Sequence, residues 1–256
     1  MLNVTLIQSD LAWENRTANL AHFLQCVQSI PGNTDLIVLP EMFNTGFTMN
    51  TAVAEPMNPT TTKWMKQMAA QTSSLLIGSF TVKQGDKFYN RLLCVKPDGT
   101  HASYDKRHLF TMGQEHLTYT AGESRLVFMW KGWKICPLIC YDLRFPVWSR
   151  NAASDPYDLL MYVANWPSRR AHAWKTLLMA RAIENQSYLV GVNRVGVDGN
   201  GLSYQGDSVA LDYLGEPATM LGSIETEKIV RFSKAELDQY RQSFPALSDS
   251  DSFEIS

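Results

Sequence analysis

Apolar positions in this chain fall into two kinds of run. Short stretches rich in β-branched and apolar residues recur at 4–8, 35–39, 75–81, 92–95, 126–129, 134–139, 159–164, 188–193, 208–211 and 228–232. Their length and composition predict strands. Between them, Leu20, Phe23, Leu24 and Val27 form one stripe at helical spacing and Trp64, Met65 and Met68 a second. Trp174, Leu177, Leu178 and Ile183 fall in a third helical stretch. Ser233 with Glu236 reads as a capping box that opens a fourth helix. Several strand runs are too continuously apolar for a sheet wetted on one face, which points to parallel strands covered on both sides. The pairs and triplets Gly85, Asp86 and Pro97, Asp98, Gly99 mark antiparallel hairpins. Two mixed sheets covered by helices, an α/β class, satisfy both signals.

With 256 residues, 45% of them hydrophobic, the chain can bury one substantial core. No repeat, low-complexity tract or linker divides it. One domain is therefore expected over 1–246, followed by an acidic, Ser-rich tail over 247–256 that is poor in core residues. A net charge of -2, with no long run of Lys or Arg, offers no basic field for nucleic acid. The N-terminus has no basic region followed by an apolar one, and no apolar stretch is long enough for a bilayer. These features predict a cytoplasmic protein with a small-molecule partner and neither a nucleic-acid nor a membrane partner. Four cysteines do not make a disulfide framework, so reduced thiols are expected.

Three segments place reactive side chains where strands end. Residues 133–146 run as an apolar strand into Cys140, followed at once by polar residues and Pro146. Ligands of open α/β sheets lie at this edge, and the Tyr141 N–H just after the thiol can face a developing oxyanion. Cys26, Cys94 and Cys136 read as small hydrophobes, and Cys136 with Cys140 lacks the spacing and the second pair of a metal site. Glu41 directly follows an apolar run; burial there would raise its pKa and suit it to general acid and base work, whereas a solvated strand-end glutamate would do neither. Lys106 stands in a cluster of ionisable residues that is ordinarily solvated, but a lysine held near Cys140 would lower the thiol's pKa and stabilise an oxyanion. His108 or His116 could equally pair with Cys140 as a base. Residue chemistry alone leaves a Cys/His pair and a Cys/Glu/Lys set both open.

The blocks ProGluMetPheAsnThrGlyPhe (40–47), TyrAspLysArgHisLeuPhe (104–110) and CysTyrAspLeuArgPhePro (140–146), in that order, resemble the three signature blocks of the nitrilase superfamily. The likeness extends through GluHisLeuThrTyrThrAlaGly (115–122), AlaAsnTrpPro (164–167), HisAlaTrp (172–174) and GluAsnGln (184–186), leaving only the tail outside. The resemblance implies a four-layer α-β-β-α sandwich. It also implies Cys140 as nucleophile, Glu41 as base, Lys106 as oxyanion stabiliser and Glu115 as the glutamate that positions the set. A thioester route of this kind needs no metal or organic cofactor, and the family implies a homodimer or larger homo-oligomer.

Within the superfamily the sequence is most similar to the omega-amidase branch, whose members hydrolyse the terminal amide of small 2-oxo dicarboxylic acid monoamides such as 2-oxoglutaramate. Arg144, Arg169 and Arg170 could supply the planar fork that suits a substrate carboxylate, with Lys175 a further candidate; alternatively Arg144 belongs to a structural turn and the other two to the surface. Trp166, Phe43 and Tyr119 could form an apolar collar around a short acyl chain, although aromatics beside helices are commonly core. Where animal-type omega-amidases carry a GlyAlaPheAsn-like stretch this chain has AlaAsnTrpPro, so Trp166 would reshape the pocket wall. An aliphatic amide, an N-carbamoyl compound or a nitrile would use the same three catalytic residues. A non-catalytic binding protein of the same fold would be expected to have lost one of them.

Overall fold

The computed structural model describes residues 1–251 and 253. The chain opens with β1 (Leu2–Gln8), α1 (Arg16–Ser29), β2 (Leu36–Val38), β3 (Glu55–Pro56), α2 (Thr60–Thr72), β4 (Leu75–Gln84), β5 (Lys87–Val95) and β6 (His101–Asp105). It continues through α3 (Glu115–Thr118), β7 (Phe128–Trp130), β8 (Trp133–Ile139), α4 (Pro146–Ser149), β9 (Leu159–Ala164), α5 (Ala171–Glu184) and β10 (Tyr188–Asn193). The last elements are β11 (Val195–Val197), β12 (Ser203–Gln205), β13 (Val209–Leu211), β14 (Pro217–Met220), β15 (Thr226–Phe232) and α6 (Lys234–Ser243).

Two mixed sheets result. One runs β15-β1-β2-β4-β5-β6 with β3 beside β4, the other β14-β13-β10-β9-β8-β7, and β11 with β12 forms a separate hairpin. Each large sheet has three parallel central strands, β1, β2, β4 in one and β8, β9, β10 in the other, flanked by antiparallel ones. The continuous apolar runs now have a cause. Leu36 and Val38 face the other sheet, whereas Ile37 and Leu39 face the helix layer of α1 and α2. Both faces are dry, so alternation in side-chain direction is not alternation in polarity. On the opposite side Trp174 and Leu178 of α5 press on β10 at Gly191, where an added Cβ would lie 2.7 Å from Leu178. The architecture is thus the four-layer α-β-β-α sandwich.

Turn chemistry behaves as read. Gly85 (φ +60°) and Asp86 close the two-residue β4–β5 hairpin between Gln84 and Lys87, and Gly99 (φ +81°) lies in the β5–β6 turn. The Ser233 side chain accepts from the Glu236 N–H to cap α6. The short strands β3, β11, β12 and β14 carry too few apolar residues to have been predicted. Residues 246–249 form a 3-10 turn that buries Leu247, so the first residue of the expected tail packs on the domain. Ser252 and residues 254–256 of that tail lie outside the described residues.

Candidate active site

Strand ends deliver polar residues to one edge. Glu41 follows β2, Lys106 follows β6, Cys140 follows β8 and Asn165 follows β9. Two of these strand ends turn through a left-handed residue: Met42 (φ +42°), just after Glu41, and Cys140 itself (φ +43°). Such a conformation costs a non-glycine residue about 1–3 kcal/mol and persists only where the surroundings hold it. At Cys140 it brings an apolar strand abruptly to a partly buried thiol at the start of the 3-10 turn Cys140–Arg144.

Lys106 is buried, and its Nζ donates to Glu41 Oε1 at 2.8 Å and to Glu115 Oε1 and Oε2 at 3.1 and 3.0 Å. The Phe47 ring lies 5.1 Å from the ammonium. Burial opposes the lysine's charge, but Glu115 and Glu41 outweigh it and hold the pKa above its ordinary value. Glu115 is pushed up, first by burial and then by the like charge of Glu41, against the pull of Lys106. Two carboxylates share one ammonium, so the second of them holds a proton more readily. Glu115 is itself anchored by the Phe110 N–H at 2.6 Å. The other Glu41 oxygen accepts from the Asn165 N–H at 2.8 Å, and Asn90 Nδ2 spans Glu41 (2.8 Å) and Glu115 (3.3 Å).

The thiol corrects one expectation. Lys106 does pull the Cys140 pKa down, but burial and then the charge of Glu41 push it up by more, and the net value lies well above an ordinary thiol's. The neutral thiol is thereby favoured, and its Sγ lies 4.0 Å from the Asn165 carbonyl oxygen. That direction favours a base that takes the proton during attack over a pre-formed thiolate. Histidine does not supply it: His108 Nδ1 lies 2.8 Å from Asp142 Oδ1 with its ring stacked on Phe145, and His116 is exposed. Cys94 and Cys136 are core residues, and Cys26 lies half-buried beside His22.

Cys140 and Lys106 open into a cavity of about 500 Å³. Tyr141, Arg144, Trp166, Arg169 and Arg170 lie on its wall. The Arg144 guanidinium stacks on Trp166 at 4.9 Å and that of Arg170 on Phe110 at 5.0 Å. Burial and the neighbouring Arg169 and Arg144 charges lower the Arg170 pKa. Among the described residues none of these three guanidiniums is in a salt bridge or side-chain hydrogen bond. The acids on the same wall are already satisfied, Glu14 by Thr48 and Asn50 and Asp198 by Tyr204 and two backbone N–H groups.

Three sequence-derived candidates fall elsewhere. Phe43 is fully buried in the outer core against Phe23, Trp64 and Phe80, because the left-handed turn at Met42 swings it toward the helices. Tyr119 is buried behind the wall, its hydroxyl donating to Thr48 O at 2.7 Å and lying 3.1 Å from Thr81 Oγ1. Lys175 pairs with Asp207 at 3.4 Å, off the cavity. Phe47, Asn90 and Asn165 were not singled out. Asn165 ends a strand as Glu41 and Cys140 do, so the same reading could have found it; Asn90 lies within β5 and gives no such signal. Among the described residues no group of three or more His, Cys, Asp or Glu is placed to hold a metal ion.

Comparison with known proteins places these features in company. The profile of the carbon-nitrogen hydrolase family matches residues 3–245. The chain is 47% identical over 255 residues to omega-amidase YafV of Escherichia coli, covering 99% of this chain and 98% of that protein. It is 30% identical over 255 residues to 2-oxoglutaramate amidase of Bacillus subtilis, covering 96% of each. A solved structure of XC1258 from Xanthomonas campestris, a CN-hydrolase superfamily protein with an arsenic adduct in its active site, matches with a TM-score of 0.97. Its identity is 44%, over 100% of this chain and 99% of that one.

Proposed function

This chain belongs to the carbon-nitrogen hydrolase family and is a cysteine amidase, and from that premise we propose that it releases ammonia from the terminal amide of a short 2-oxo dicarboxylic acid monoamide such as 2-oxoglutaramate. The observation that carries this reading is the group of guanidiniums from Arg144, Arg169 and Arg170, without acidic partners among the described residues, on the wall of the cavity that holds Cys140. Crowded cations of this kind favour an anion, and planar forks suit a carboxylate.

In this reading the substrate carboxylate lies on the arginines and its amide carbon over Cys140. Glu41 takes the thiol proton as sulfur bonds to that carbon. The carbonyl electrons move to oxygen, which Lys106 and the Tyr141 N–H receive. An ammonium has three N–H bonds; Glu41 takes one and the two Glu115 oxygens share a second, which leaves the third for the oxyanion. As the tetrahedral species collapses, the C–N bond breaks, Glu41 returns its proton to the nitrogen, and ammonia leaves. Water then attacks the thioester, giving a proton to Glu41. The C–S bond breaks, the thiol regains that proton, and the dicarboxylate departs.

The test is ammonia release from 2-oxoglutaramate, glutamine and a short nitrile, with Cys140→Ala alongside. Activity on 2-oxoglutaramate that is absent from the variant is expected. Activity only on another compound would keep the family and sink this substrate, and undiminished activity in Cys140→Ala would overturn the mechanism.

A further inference from the structure

We propose that Asp142 is a positioning residue of the reaction: one buried carboxylate that ties the turn carrying Cys140 to the loop carrying Lys106 and thereby sets the two groups relative to each other. The inference rests on the assignment of Cys140 and Lys106 above, but not on which amide is the substrate.

Asp142 is fully buried, and its two oxygens are met by one donor from its own turn and three from the segment around Lys106. Oδ2 accepts the Ile139 N–H at 3.0 Å and the Tyr104 hydroxyl at 2.7 Å. Oδ1 accepts the His108 N–H at 3.0 Å and faces His108 Nδ1 at 2.8 Å. Ile139 immediately precedes the nucleophile, and Tyr104 and His108 stand two residues before and two residues after Lys106. The carboxylate thus brackets the lysine from both sides while gripping the last strand residue before the thiol. The left-handed Cys140 needs such a constraint, since its conformation is not self-supporting. Further bonds stiffen the bracket: Tyr104 Oη accepts from Trp148 Nε1 at 2.9 Å and from the Arg107 N–H at 3.2 Å, and the His108 and Phe145 rings stack at 3.8 Å. Only an ionised carboxylate accepts at both oxygens; an amide would turn an NH2 toward donors on one side and release either the thiol turn or the lysine loop.

The experiment compares Asp142→Asn and His108→Phe with the parent, using an amide that the substrate panel shows to be hydrolysed. Rates are normalised to the reactive Cys140 thiol titrated in each preparation, so that a loss of folded protein does not count. His108→Phe keeps a ring on Phe145 and removes only the imidazole donor, so it reads the same tie if Asp142→Asn does not fold. Misplacing reacting groups by about 1 Å costs about 10²-fold in rate, so kcat per thiol is expected to fall by about that factor in Asp142→Asn and by a smaller factor in His108→Phe, with KM nearly unchanged. A kcat per thiol within about twofold of the parent in both variants, or a loss confined to KM, would overturn the proposal. Retained activity in Cys140→Ala is a separate result that removes the assignment on which it stands.

Discussion

At the scale of single residues, the site is a small set of charges kept in one arrangement by hydrogen bonds to neutral neighbours. Lys106 stays charged because two glutamates flank it, and the glutamates stay in place because Asn90, the Asn165 N–H and the Phe110 N–H engage them. Glu115→Gln keeps the volume but in either orientation presents an NH2 to the Lys106 ammonium, and with it to Asn90 Nδ2 or to the Phe110 N–H, donor against donor. Its expected effect is a fall in kcat of about 10²-fold with KM little changed, as for loss of a group that orients others; steady-state kinetics at pH 7 checks it, and a wild-type kcat would remove Glu115 from the machinery. The arginines make the opposite signature. Truncating Arg170 or Arg144 to Met removes an attraction for the substrate carboxylate, a hydrogen bond to a charged group being worth about 1.5–3 kcal/mol, so kcat/KM for a carboxylated amide is expected to drop about 10- to 100-fold. An uncharged amide of similar length should lose far less. Equal losses on both compounds would mean that the arginines shape the cavity and do not read charge.

Elements decide how much of this was legible beforehand. Two helix-covered mixed sheets could be read because several strands are continuously apolar, and Cys140 and Glu41 became candidates because each follows such a run, whereas the four layers and the residues' roles came from the resemblance of the signature blocks. Direction after a strand end is another matter. A left-handed φ at a methionine leaves no mark in the sequence, so Phe43 read as a wall residue although Met42 turns it into the core and Phe47 reaches the lysine instead. Asn90 was invisible for a related reason: its place comes from the β5–β6 register, in which Arg91 faces Asp105 and the Asn90 carbonyl accepts the Lys106 N–H, and pairing of that kind is a long-range fact. The same loop shows how tightly elements are fitted beside the site. Gly122 donates its N–H to Lys106 O at 2.9 Å, and a Cβ there would lie 2.1 Å from Asp105 O, a backbone atom that has nowhere to go. Gly122→Ala is expected to cost about 1–3 kcal/mol, the usual range for overpacking, read from the urea midpoint, and to lower kcat by displacing Lys106. A variant with parent-like stability and rate would show that this loop yields without moving the lysine.

For the whole molecule, the dry sandwich has a consequence for alkaline stability. Cys94 and Tyr104 of one sheet, and Cys136, Tyr162 and the neighbouring Tyr157 of the other, are all buried in the larger apolar core. Burial is the leading cause of a raised pKa in each, and Cys136 is pushed up to about 12. In the unfolded chain these groups ionise near their ordinary values, about 8.5 for a thiol and about 10 for a phenol. The folded state holds them neutral, so below about pH 8.5 neither state gains by ionisation and stability is at its full value. As pH rises, the unfolded chain releases protons that the folded one keeps, and stability falls at up to about 1.4 kcal/mol per pH unit for each group in its window. The melting temperature is therefore expected to decline from about pH 9 upward, more steeply once the tyrosines join above pH 10. Cys136→Ala should be less stable at pH 7, because it leaves a cavity, yet show a shallower slope between pH 9 and 12 than the parent. A flat melting temperature up to pH 11, followed by circular dichroism, would mean that these side chains exchange protons in the folded state as freely as in water, and that the core around them is wetter than its packing implies.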